Sequence, residues 1–260
     1  MAKIAYQLYS AREEAEKDLG SVLRQLAALG YDGVEFAGFY GHSAQDVRAL
    51  LDETGLEAVS SHVPFQAIEE DMFSVIATHL AVGCKWIAVP YLLEAERPGQ
   101  PGFARVIAVI HRFARLCREA GITLLYHNHD FEFVKVSGAY ALDFLYEAVP
   151  ASLLETEIDT CWVRYSGLDP AAYIERYAGR CPIVHMKDYV SDEATGPCVP
   201  RPASFAFRPV GTGLQDVGKI VRAAVQSGAQ WLVVEQDMPL NTPLEDAKVS
   251  IGNLRAVKGV

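Results

Sequence analysis

The chain has 260 residues, half of them apolar and 22% charged, which is the make-up of an ordinary globular protein with room for a large core. Its formal net charge of −10 repels a phosphate backbone, so general nucleic-acid binding is excluded as a leading function. No apolar run approaches the roughly 20 residues that span a bilayer, and the opening MAKIAYQLYS lacks the apolar segment and cleavage site of a secretory signal.

A cytoplasmic protein with no membrane partner is expected. The five cysteines, Cys84, Cys117, Cys161, Cys181 and Cys198, are odd in number, widely spaced and free of any CxxC. That predicts reduced, mostly buried thiols rather than a disulfide framework or a structural zinc site.

Taken in chain order, short apolar runs alternate with amphipathic stretches. Lys3–Leu8 reads as a strand and Asp18–Leu29 as a helix, with Leu and Ala at i, i+3 and i+4. Gly33–Phe36 is the second strand. Ser43 caps a helix over Ala44–Glu53. The pattern continues with strand Ala58–His62, helix Met72–Val82, strand Trp86–Val89 and helix Phe103–Ala120. Strand Ile122–His127, helix Tyr140–Ala148, strand Leu154–Ile158 and helix Pro170–Tyr177 follow. Strand Ile183–Lys187, helix Asp216–Ser227, strand Trp231–Glu235 and helix Pro243–Val257 complete the series.

Eight such units predict parallel strands in a single (β/α)8 TIM barrel across residues 1–260, close to the roughly 250 residues usual for that fold. A doubly wound open sheet is the alternative, but no GxGxxG follows the first strand. One stretch breaks the rhythm: about 188–209, with Pro197, Pro200, Pro202 and Pro209, predicts a long loop after the seventh strand. Its Phe205 and Phe207 suggest a lid or an interface patch, and a homodimer would suit such a patch.

Active sites of TIM barrels form at the C-terminal ends of the strands. There the fifth strand carries His127, His129, Asp130 and Glu132, and the sixth carries Asp159. The seventh carries His185, Lys187 and Asp188, and the eighth Glu235 and Asp237. Carboxylates crowded at a partly dry barrel mouth repel one another and are costly to desolvate. One divalent cation relieves both problems. Mn²⁺, Mg²⁺, Co²⁺ or Zn²⁺ would suit carboxylates with an imidazole. On the fifth strand, His127 and His129 share a face by period-two alternation and Glu132 falls on the other parity unless the chain turns. The residues alone leave His127, His129 and Glu132 open as the ligand.

The segments HNHDFEF, EIDTCW, HMKD and VVEQD, with the opening AYQLYS and the strands VEFAGF and SSHVPF, resemble the sugar phosphate isomerase/epimerase family. That family is related to xylose isomerase and endonuclease IV. The resemblance covers the whole chain and implies a TIM barrel that acts on a small sugar. It implies a metal held by Glu132, Asp159, His185 and Glu235, with His62, His127, His129, Trp162 and Lys187 lining the substrate pocket. Two segments depart from the family pattern: Val210–Gly213 reads VGTG rather than VGEG, and Cys161 replaces a glycine in the sixth-strand motif.

The implied chemistry is isomerisation or epimerisation of a keto or aldo sugar through an enediolate, with Glu132 and Glu235 exchanging the proton. Elimination from an inosose or a 3-keto sugar at the same site is the first alternative, and a non-catalytic sugar-binding barrel the remote one. Phosphodiester cleavage in the manner of endonuclease IV calls for more histidines than the seven present. For a phosphorylated substrate, Arg208 and the turn Gly211-Thr212-Gly213 ahead of a helix are the expected anion site.

Overall fold

A computed structural model describes residues 2–136 and 138–257. Residues 1, 137 and 258–260, which the single predicted domain includes, lie outside the described residues.

The eight apolar runs form barrel strands β1 (Lys3–Gln7), β2 (Gly33–Phe36), β3 (Glu57–His62), β4 (Trp86–Val89), β5 (Thr123–His127), β6 (Leu154–Asp159), β7 (Ile183–Met186) and β8 (Trp231–Val234). All neighbours pair in parallel, and β1 closes the barrel by pairing Lys3 to Tyr6 with Trp231 to Val234. The outer helices are α1 (Arg12–Leu29), α2 (Ala44–Thr54), α3 (Met72–Val82), α4 (Phe103–Glu119), α5 (Ala141–Ala148), α6 (Pro170–Arg176), α7 (Val217–Gln226) and α8 (Pro243–Arg255).

The first helix starts earlier than its apolar period suggests, because Arg12–Lys17 is a charged segment without that period. The two parts meet at a break at Asp18 (φ −159°, ψ 86°), whose carboxylate accepts from the Ser21 N–H and so caps the second part. Two short helices, Phe65–Glu70 and Thr160–Tyr165, fill the β3 and β6 connections and are too brief to show a period.

Alternation along the strands divides the interior. Outward residues such as Val34, Tyr126, Ile158, Val184 and Leu232 pack against the helices in the main core. Inward residues Ala5, Val59, Trp86, Ala88, Leu125, Ile183, Trp231 and Val233 plug the barrel toward the N-terminal ends of the strands. No helix among the described residues is long and apolar enough to cross a membrane.

The loop after β7 is less irregular than its prolines suggest. Asp188–Val190 and Ala206–Arg208 pair as an antiparallel hairpin. Tyr189 and Phe207 then join Cys161, Trp162 and Tyr165 in a small core, with Phe205 packed against it. The interface patch expected of Phe205 and Phe207 is thus turned inward, because Trp162 offers them an aromatic surface at the barrel rim.

Candidate metal centre

Parity along the strands selects which side chains meet. Leu125 points into the barrel, so His127, two residues on, does too. Its Nδ1 donates to the Pro90 carbonyl at 3.3 Å. The other nitrogen, Nε2, then carries the lone pair. It lies 3.4 Å from Asp159 Oδ2 and 3.8 Å from Glu235 Oε2. Asp159 ends β6 with its carboxylate divided: Oδ1 accepts from the N–H groups of Cys161 and Trp162 and caps the short helix. Asn128 locks the ends of β5 and β6 together, accepting from the Asp159 N–H at 2.9 Å and donating to its carbonyl at 3.3 Å. On β7, His185 places Nδ1 3.0 Å from Glu235 Oε2.

One ligand atom from each of His127, Asp159, His185 and Glu235 falls within 4.8 Å of the others, and all four residues are buried. Around an ion bound at about 2.1 Å, tetrahedral ligand atoms sit about 3.4 Å apart, which matches these separations. His127 Nε2 and Asp159 Oδ2 face each other, and neither has a hydrogen-bond partner among the described residues. Two carboxylates, two imidazoles and two orphaned buried atoms together fit one divalent cation.

Glu132 is not among them. After His127 the chain turns, and Phe131–Phe133 forms a single 3₁₀ turn. Glu132 accepts from the Tyr126 hydroxyl at 2.6 Å and from the His129 N–H at 2.8 Å. Because Tyr126 faces outward, Glu132 follows it behind the strand, toward the helix layer. The resemblance to the family motif set strand five on Glu132; the parity of the strand sets it on His127. Burial pushes the Glu132 carboxyl up to about 8, although Tyr126 and the His129 amide favour its charge. It is fully buried and is not among the residues that line the cavity at the barrel mouth.

Above the centre opens a cavity of about 1010 Å³ whose walls include His62, His127, His129, Trp162, Lys187 and Glu235. The seventh-strand loop closes one side with Cys198–Arg201, tied to the strand-five turn by the Cys198 N–H donating to Asp130 at 2.9 Å. Trp162 stacks on His129 (centroids 5.3 Å apart), and its Nε1–H has no partner. The His129 Nδ1 is likewise unpartnered. Burial, with His127 and Lys187 nearby, pushes the His129 pKa well down, so the ring is neutral.

Lys187 lies in the same wall, its ammonium 2.5 Å from Asp237, 3.2 Å from Glu235 and 3.6 Å from Asp159. Burial disfavours its charge, yet Asp237, Glu235 and Asp159 outweigh burial and hold the pKa well above the ordinary value.

Arg208 does not reach this cavity; its guanidinium donates to the Phe207 carbonyl on the rim hairpin. The turn expected to hold a phosphate is already filled. Asp188 accepts from the N–H groups of Gly211 (3.0 Å), Gly213 (2.9 Å), Gln215 (3.1 Å) and Tyr189 (2.9 Å). A Cβ on Gly213 would stand 2.3 Å from the Asp188 carboxylate, so glycine is required there. The nest of amides is real, and its anion comes from the chain itself.

Glu35 and Glu157, both fully buried beneath the centre, do not feature in the sequence reading. The signal for Glu157 was its place two residues before Asp159, hence on the same face of the strand. Glu35 shows only as one acid inside the apolar run VEF.

The sequence profile of the xylose isomerase-like TIM barrel matches residues 23–257. The chain belongs to that family. Within reach of this family member is an inosose dehydratase of Geobacillus kaustophilus, 28% identical over 193 residues; the match covers 66% of this chain and 62% of that protein, less than two thirds of it. The fold superposes on a sugar phosphate isomerase/epimerase from Parabacteroides distasonis with a TM-score of 0.81, at 22% identity, over 99% of this chain and 95% of the other. It also superposes on the IOLI protein with a binding zinc atom, with a TM-score of 0.73 at 14% identity, over 96% and 95% of the two chains.

Proposed function

We propose that this family member removes a proton next to the carbonyl of a polyhydroxylated ketone, a keto sugar or a cyclic polyol ketone, and expels water from the neighbouring carbon. The observation that carries the reading is the convergence of His127, Asp159, His185 and Glu235 at the floor of a large cavity. Those four residues would hold a divalent ion, which when bound would supply the Lewis acidity to polarise a carbonyl oxygen and acidify the adjacent C–H. With two imidazoles among four ligands, Zn²⁺, Mn²⁺ or Co²⁺ suits the set better than Mg²⁺.

The remaining work belongs to the side chains. Glu235 lines the cavity and takes the proton from carbon. Lys187, held by Asp237, gives a proton to the departing hydroxyl, so a C=C bond forms as the C–O bond breaks and water leaves. Both groups reset their protons through the open cavity. Trp162, its ring already stacked against His129 and Phe205, offers its free N–H to a substrate hydroxyl, and His129 accepts from another.

Two facts support dehydration over isomerisation or epimerisation. Two matched relatives are inosose dehydratases, and Glu132, which would have been the second carboxylate of a two-base exchange, is turned to Tyr126 and the His129 amide instead of the cavity. Isomerisation keeps one support of its own: Lys187 and Asp237 form a second proton carrier that could return the proton to carbon. Incubation of the metal-loaded protein with keto sugars and cyclic polyol ketones in D₂O separates the outcomes. A product lighter by one water is expected. Retained mass with deuterium on carbon selects isomerisation, and an active preparation showing neither water loss nor exchange defeats proton abstraction altogether.

A further inference from the structure

Beneath the four-residue centre lies a layer of charge that the proposed chemistry leaves unused. Glu35 on β2 and Glu157 on β6 are fully buried, and neither lines the cavity. Glu35 Oε1 is 2.7 Å from His185 Nε2 and 3.1 Å from His62 Nε2. Glu157 Oε1 is 3.2 Å from His185 Nε2 and 2.6 Å from His62 Nε2. Glu35 is itself anchored, accepting from Gln7 Nε2 at 2.6 Å and from the Ser60 hydroxyl. Gln7 in turn accepts from the Tyr9 N–H.

Burying two carboxylates inside a barrel carries a large desolvation penalty before compensation. Aliphatic residues such as the Leu125 and Val233 of the barrel plug would fill the same volume without it. Packing therefore does not explain these acids.

The two nitrogens of His185 have opposed surroundings. Nδ1 is hydrogen-bonded to Glu235 in the metal centre, and Nε2 lies close to Glu35 and Glu157 beneath it but is aligned with neither for a hydrogen bond. A neutral imidazole has one N–H and one lone pair. We propose that Glu35 and Glu157 are positioning residues that keep the His185 proton on Nε2 and so present the Nδ1 lone pair to the metal. The same two carboxylates bind His62 in the cavity wall, which links a substrate contact to a metal ligand.

His127 follows the same logic with a weaker partner, the neutral Pro90 carbonyl. Two carboxylates raise the basicity of His185 more than one carbonyl can raise that of His127. The inference rests on the reading of the four residues as a metal centre.

Zinc binding to the full-length protein tests it, by competition with a chromophoric chelator. The wild type is expected to take one ion per chain. E35Q and E157Q are expected to bind it about 10–100-fold more weakly, the range for loss of an outer-layer partner, with unchanged far-UV circular dichroism. Glu96→Gln removes a buried, ion-paired acid away from the barrel interior and is expected to leave affinity unchanged. In ¹⁵N-histidine spectra of the zinc-loaded wild type, His185 should keep its proton on Nε2, a readout that needs no variant to fold.

Coordination through Nε2 overturns the proposal, as do folded E35Q and E157Q proteins that bind zinc like the wild type. Uptake of two ions, one of them lost in E157Q, also overturns it, since Glu157 would then be a ligand alongside His62, His127 and His185. A wild type that takes up no divalent ion fails the underlying metal-centre reading instead.

Discussion

The two ends of the barrel interior are built from the same strands and have opposite contents. Toward the N-terminal end, Leu125, Ile183 and Val233 belong to an apolar plug. Two residues further along, the same faces of the same strands carry His127, His185 and Glu235. One step of the pleat separates a part that stabilises from a part that binds. The apolar end contributes burial, at roughly 25 cal/mol per Å² removed from water. The other end gathers four buried acids, Glu35, Glu157, Asp159 and Glu235, with the half-buried Asp237 beside them, whose mutual repulsion would drive them apart. A rigid plug beneath a charged mouth lets the acids be held where repulsion would otherwise spread them.

This contrast can be broken from either end. The largest effect is expected from His127→Ala at the mouth. Zinc affinity should fall by more than the about 10–100-fold typical of an outer partner, with a melting temperature close to wild type in the metal-free state. Retained one-to-one zinc binding would return strand five to another ligand. Leu125→Ala, two residues away, should do the reverse. A loss of about 2–5 kcal/mol in urea unfolding is expected, while the folded fraction still binds one ion. Loss of binding by that folded fraction would contradict the separation of roles.

A third test concerns Glu132, which belongs to neither end. Its carboxyl titrates at about 8 when folded against an ordinary value of 4.5. Folding thus favours the protonated form, so the stabilisation is complete below pH 4.5 and is lost as pH rises through about 8. Glu132→Gln should abolish this slope, gaining on wild type between those values in denaturant titrations, and zinc stoichiometry should not change. Parallel curves for the two proteins would show that Glu132 is charged throughout. The smallest effect is expected for Trp162→Phe, which keeps a ring but removes the free N–H. KM should rise by up to about 10-fold with kcat little changed, in line with one hydrogen bond. An unchanged KM would place Trp162 with the rim core alone.

The barrel was legible because eight apolar runs at near-regular spacing admit few other folds. Asp159, His185 and Glu235 were legible because each closes such a run. Strand five was harder, since HNHDFEF offers several ligand types within six residues and the turn after His127 leaves no trace in periodicity. The alternation from Leu125 to His127 that brings His127 into the buried cluster was present in the sequence, whereas the family motif pointed to Glu132. Glu35 and Glu157 were hidden because a buried acid inside an apolar run looks like an interruption until its partners on other strands are known. Arg208 failed for a different reason: a positive charge near a glycine turn says nothing of which anion already occupies the turn.

That occupancy has a consequence for the medium in which the protein works. Since Asp188 satisfies the amides of Gly211, Gly213 and Gln215 from within, dissolved phosphate finds no vacancy at that turn. A phosphate group on a ligand would have to be met elsewhere along the rim, where Arg97 and Arg201 line the cavity.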